Sequence, residues 1–202
     1  MRRRSLWIWL GLIPILMLVS SPRTFAQEES PKQFIYYTLG QQSFALSAGI
    51  FVPLFLQEFG GDTSSTNLSL GAVGSLQWGT HLDNHWMLGA EIGGMFCSST
   101  LKNSVLMLPI TAKGTYIFHA FPFEFPVFLG AGINVLKYES QSHLDFILKP
   151  GFSSMWKYSS SWAFGVNFAY WWIPQGATGD QDKEMARIGN FLEITATAKY
   201  SF

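Results

Sequence analysis

The stretch LEITATAKYSF, Leu192–Phe202, decides how the chain reads. In it Leu192, Ile194, Ala196, Ala198, Tyr200 and Phe202 alternate with Glu193, Thr195, Thr197, Lys199 and Ser201. Side chains of a strand point alternately to its two faces, so the segment is a strand with one apolar and one polar face. The same period runs upstream. Phe44, Leu46, Ala48, Ile50, Val52 and Leu54 oppose Ser43, Ala45, Ser47 and Gly49, and comparable segments start near Leu68, Trp86, Leu106, Phe125, Leu144 and Trp162. Eight such segments are expected, each of roughly ten residues, the length of a steeply tilted membrane strand.

Composition points the same way. Of 202 residues only 13% are charged while 16% are aromatic, a balance poorer in charge than soluble domains show. After the N-terminal stretch no apolar run reaches the roughly 18 residues of a membrane helix. A chain without membrane helices crosses a bilayer only as a closed barrel. The fold expected is all-β, an eight-stranded antiparallel transmembrane β-barrel over 42–202.

Volume decides which face looks out. Few bulky side chains fit inside an eight-stranded barrel. The Phe, Trp, Leu and Ile set must therefore face lipid, and the Gly, Ala, Ser and Thr set must face inward. A soluble lipocalin-like barrel would need the reverse. Trp78, Trp86, Tyr116, Phe118, Trp156, Trp162, Tyr200 and Phe202 fall at strand ends as an aromatic girdle. The connections 79–85, 119–122 and 158–161 are short and share one end with both termini, as periplasmic turns do. The stretches 57–66, 97–104, 137–142 and 173–189 are expected as outer loops.

Residues 1–26 carry Arg2, Arg3 and Arg4, an apolar run from Leu6 to Val19 and a small-residue end at Ala26, the pattern of a cleaved signal peptide. Residues 27–41 then form a short periplasmic segment. Net charge is zero, which gives no reason to expect nucleic acid as a partner. The single Cys97 has no disulfide or zinc partner and is expected to pack.

With these segments in view, the chain resembles the small eight-stranded outer-membrane barrels, the OmpW/AlkL group and the OmpX and OmpA-barrel types. The resemblance spans about residues 42–202 and is sharpest at Leu192–Phe202. It implies residence in the bacterial cell outer membrane, with outer-membrane lipid as surroundings. It also implies that Tyr200 and Phe202 are read by the barrel-assembly machinery.

Height along the inward face separates two zones. On the periplasmic side Glu91, Lys113, Glu124, Lys149, Glu193 and Lys199 form a polar interior plug, with Glu91 near Lys113. On the outer side Phe51, Pro53, Met95, Val105, Met107, Pro109, Ile147, Trp171 and Phe191 form an apolar lining. Pro53, Pro109 and Pro150 lack ladder donors and mark bulges or gaps. The apolar lining resembles the hydrophobic funnel of OmpW/AlkL-like proteins, which implies a narrow channel for small hydrophobic solutes. The alternative is a closed structural or adhesin-type barrel that displays its loops, above all 173–189 with Asp180, Asp182, Lys183, Glu184 and Arg187.

No enzyme is expected. His81, His85 and His119 fall in the expected periplasmic turns, as solvated or interface residues, and His143 beside Asp145 has no nucleophile at matching height. No cofactor is indicated. No metal is expected either, because Asp180, Asp182 and Glu184 lack calcium-loop spacing.

Overall fold

A computed structural model describes residues 37–58, 62–99, 104–138, 141–175 and 187–202. The signal segment, residues 27–36, and Gly176, Gly179, Asp180, Asp182, Lys183 and Glu184 of the longest loop lie outside the described residues.

Alternation folds the chain into a meander of hairpins that closes on itself. The strands are β1 (Gln42–Glu58), β2 (Thr63–Ser64), β3 (Gly71–His81), β4 (Trp86–Ser98), β5 (Ser104–Ala120), β6 (Phe123–Tyr138), β7 (Gln141–Lys157), β8 (Trp162–Pro174) and β9 (Arg187–Ser201). All neighbours are antiparallel, and β1 pairs with β9 from Ser43↔Ser201 to Glu58↔Arg187, which seals the barrel. The two-residue β2 only caps the top of β1. Eight strands thus make the wall, leaving no open edge.

The expected faces are the observed ones. Phe44, Leu46, Ile50, Leu76, Trp78, Trp86, Leu88, Ile92, Phe125, Leu129, Phe152, Trp156, Trp162 and Phe202 are exposed. Only lipid could cover that belt. At the short-turn end the aromatics contact one another, as Trp86 with Tyr116 at 5.0 Å and Trp162 with Tyr200 at 4.9 Å between centroids.

The strands are longer than ten residues. β1, β5 and β7 each run for 17, about 56 Å of chain, or about 43 Å of height at a 40° tilt, more than the apolar band of about 25 Å. These strands are therefore taller than such a band, and at the loop end of β6 the outward Lys137 is exposed. The loop expected at 137–142 is correspondingly short, since β6 reaches Tyr138 and β7 begins at Gln141.

The prolines leave marks. The β1–β9 register shifts between Pro53 and Phe55, a bulge. Pairing of β4 with β5 skips from Ile92↔Ile110 to Met95↔Met107 beside Pro109. Pairing of β7 with β8 skips from Gly151↔Ala169 to Leu148↔Trp172 beside Pro150 and goes no higher. A proline lacks the N–H that would complete each ladder.

Candidate functional site

The interior holds three layers. The middle one is a chain of charges drawn from four strands. Glu91 on β4 accepts from Lys113 on β5 at 3.0 Å and from Lys149 on β7 at 2.5 Å. Lys149 also reaches Glu193 on β9 at 2.9 Å, and Trp171 Nε1 donates to the same carboxylate at 2.7 Å. Gln77 takes a further bond from Lys113 at 2.9 Å. Each charge is buried, and each has an opposite charge in contact, the condition under which buried ions are retained.

The second layer closes the short-turn end. Glu124 accepts from Lys199 at 3.1 Å and Lys157 at 3.2 Å, and the Tyr37 hydroxyl donates to it at 2.7 Å. Lys199 thus belongs to this group and not to that of Glu193. Tyr37 precedes β1, yet it is 2% exposed, stacked on His81, with Lys157 Nζ 4.3 Å from its ring centroid.

His81 and His119 do not occupy solvated turns. His81 is fully buried and His119 Nδ1 lies 3.7 Å from Glu124. The reason is strand length: β3 continues to His81 and β5 to Ala120, so both histidines keep the inward parity of Gln77 and Thr115. His85 is the exposed one, ring-stacked on Tyr116 at 5.6 Å. Between the two charged layers lies a cavity of about 40 Å³, lined by Ser43, Gln77, Lys113, Thr115, Ser153 and Lys199 among others. It has room for roughly one or two waters.

The third layer, toward the loop end, is apolar and packed. Phe51, Met95, Val105, Met107, Ile147, Trp171 and Phe191 are buried in one cluster, joined by Val73, Cys97, Phe128, Ala169 and Ile173. Phe51 meets Trp171 edge-on at 5.1 Å and Phe191 at 5.0 Å. Pro109 is buried beside them, whereas Pro53 is half-buried at its bulge.

Tyr37, Lys157 and Phe128 are members of this interior that the strand pattern alone did not single out. Phe128 shares inward parity with Glu124 and Gly130, and Lys113 Nζ sits 3.7 Å from its ring centroid. It fits because Gly151 stands opposite, where an added Cβ would overlap the ring. Among the described residues no group of three or more His, Cys, Asp or Glu side chains could hold a metal ion.

A protein-family model of uncharacterised proteins matches residues 25–200. The chain belongs to that family. It is 26% identical over 189 positions to an uncharacterised protein of Borreliella burgdorferi, covering 83% of this chain and 86% of that one. Among solved structures it is similar to Neisserial surface protein A, with a TM-score of 0.55, 12% identity, and coverage of 81% of this chain and 97% of that one. The outer membrane protein OprG of Pseudomonas aeruginosa aligns over 83% of this chain and 99% of its own length, at 10% identity and a TM-score of 0.48. The fold is that of the small eight-stranded outer-membrane barrels.

Proposed function

We propose that the protein is a closed barrel of the bacterial outer membrane that works at its loop-bearing rim, as a surface-displayed scaffold of the adhesin type. The observation that carries this reading is the filled lumen. Phe51, Ile147 and Trp171 are 0% exposed across the loop-end half, and below them the Glu91–Lys149–Glu193 chain crosses the interior. A solute would have to displace both layers. The long strands and the exposed aromatic belt support the same reading, with the short turns periplasmic and the loops outside. The similar Neisserial protein is itself called a surface protein.

Narrow passage of hydrophobic solutes is the second reading. The interrupted ladders at Pro109 and Pro150, beside the apolar layer, favour it. Uptake of an apolar probe separates the two, because neutral solutes carry no current. The closed scaffold gives no regular conductance steps, and uptake of an apolar probe is the same in the wild type and in Met107→Lys or Trp171→Lys. Probe uptake that either lysine abolishes would overturn the scaffold reading. Maleimide labelling of Gly179→Cys on intact cells tests the orientation, and an unlabelled cysteine there would reverse it.

A further inference from the structure

Four carboxylates are buried among the described residues: Glu91, Glu124, Asp145 and Glu193. Three of them contact at least one lysine. Asp145 does not, and its Oδ2 is buried without a hydrogen-bond partner. Directly across the β6–β7 ladder stands Asn134, its Cα partner, 0% exposed, with neither the amide oxygen nor the amide nitrogen bonded. On the other side of Asn134 the ladder partner is Pro109, whose ring offers no donor. Two unsatisfied polar side chains thus face each other just above the apolar layer, with His143 one pair nearer the rim. Burying such groups costs free energy unless something meets them.

The surroundings define what would meet them. One step toward the rim is the pair Leu136↔His143, with Leu136 half-buried and His143 exposed. One step inward, Gly132↔Ile147 begins the packed layer, where Ile147 and Trp171 are fully buried. The pair is therefore nearest solvent toward the loop end and sealed off below. We propose that Asn134 and Asp145 receive the ammonium group of a small amphipathic primary amine entering from the loop end. A primary ammonium has three donors and no acceptor. One donor suits Asp145 Oδ2, one suits the Asn134 carbonyl, and the third faces water at the mouth. Its apolar body lies over Leu136 and His143. An anion would meet the Asp145 carboxylate, and a neutral alcohol brings a single donor and no charge.

This binding is independent of whether the lumen conducts. The test uses the full barrel in lipid nanodiscs, titrated calorimetrically near neutral pH with phenethylamine and, separately, with its neutral counterpart phenethyl alcohol. The wild type is expected to bind the amine saturably, with affinity for the alcohol weaker by at least about tenfold, and Asp145→Asn is expected to lose the amine by a similar factor. Asp145→Asn without ligand is expected to unfold at a higher urea concentration than the wild type, because it removes an unpaired buried charge. Absence of saturable amine binding to the wild type would overturn the proposal. So would equal affinity for amine and alcohol, a measurement that needs no variant. An Asp145→Asn barrel that is less stable or fails to fold would overturn it as well, by revealing a structural partner for the carboxylate.

Discussion

The ring of Tyr37 lies flat against that of His81, with centroids 3.8 Å apart and planes 7° from parallel. A residue outside the strands thereby fills the short-turn mouth and brings its hydroxyl to Glu124 and Lys199. Burial, and next the neighbouring Glu124 carboxylate, push the phenol above its ordinary value. A group whose folded pKa is raised contributes stability that is complete below its unfolded pKa and declines as pH rises beyond it. For a tyrosine that decline begins near about pH 10. Urea unfolding in lipid vesicles is expected to show wild-type stability falling above that pH. Tyr37→Phe is expected to lack this part of the fall and to be weaker by about 1–3 kcal/mol at neutral pH. Identical alkaline profiles for the two proteins would contradict this account.

Glu91 holds the middle layer together, and its loss would strand one lysine more than the other. Lys149 keeps Glu193 at 2.9 Å, whereas Lys113 keeps no carboxylate, only the neutral Gln77 and the ring of Phe128. Removing one partner of a buried ion pair costs about 3–5 kcal/mol, while removing both often costs little. Glu91→Leu is accordingly expected to destabilise the barrel by about that amount. Adding Lys113→Met should restore more than half of the loss. If the double variant is no better than the single one, the stranded charge is not the cause.

Much of this architecture is legible in the sequence because period two reports directly which face a residue occupies. Trp78, Ile92 and Phe152 face out, and Glu91, Lys113 and Trp171 face in, by parity alone. Parity does not report where a strand stops. His81 and His119 look like turn residues next to Gly79 and Pro122, but the ladders include both, as His81↔Met87 and His119↔Glu124. Nor does it report partners chosen by height. Glu193 and Lys199 lie on one face of one strand, yet they reach different lysine and glutamate groups because each strand meets its neighbours at a stagger. Tyr37 belongs to no strand, so its place in the mouth depends on the shape of the closed barrel and has no periodic signature.

Closure itself depends on a missing side chain. At the β1–β9 seam a Cβ on Gly49 would strike the Ile194 carbonyl oxygen and come within 2.7 Å of Thr195 Cα, both backbone atoms that cannot rotate away. Gly49→Ala is expected to cost about 1–3 kcal/mol, in the range of overpacking, and Gly49→Val to reduce the fraction that folds. Gly114→Ala is the matched control, because its nearest neighbour would be Leu88 Cδ2 at 3.9 Å. It should change stability by no more than about 0.5 kcal/mol. Heat-modifiability on gels gives the folded fraction, and equal yields for Gly49→Val and Gly114→Ala would exclude a tight seam.

One exposed carboxylate braces the hairpin between β3 and β4, beside the Leu82 N–H bond to the Trp86 carbonyl at 2.8 Å. Asp83 Oδ1 accepts from the backbone N–H of Trp86 at 2.6 Å and of His85 at 2.7 Å, fixing the turn that sets Trp86 in the girdle. These two N–H donors hold the carboxyl below its ordinary value, which is about 3.9 in an unfolded chain. A depressed pKa means stability that is present above the unfolded value and lost as pH falls through the folded one. Asp83→Ala should therefore unfold at lower urea than the wild type at neutral pH, and the difference should shrink as the medium is made progressively more acidic than the unfolded value. Asp83→Asn retains an acceptor oxygen, so it should lie between the two at neutral pH. A gap between wild type and Asp83→Ala that stays constant into strong acid would show that the turn is held by its backbone shape and not by the carboxylate.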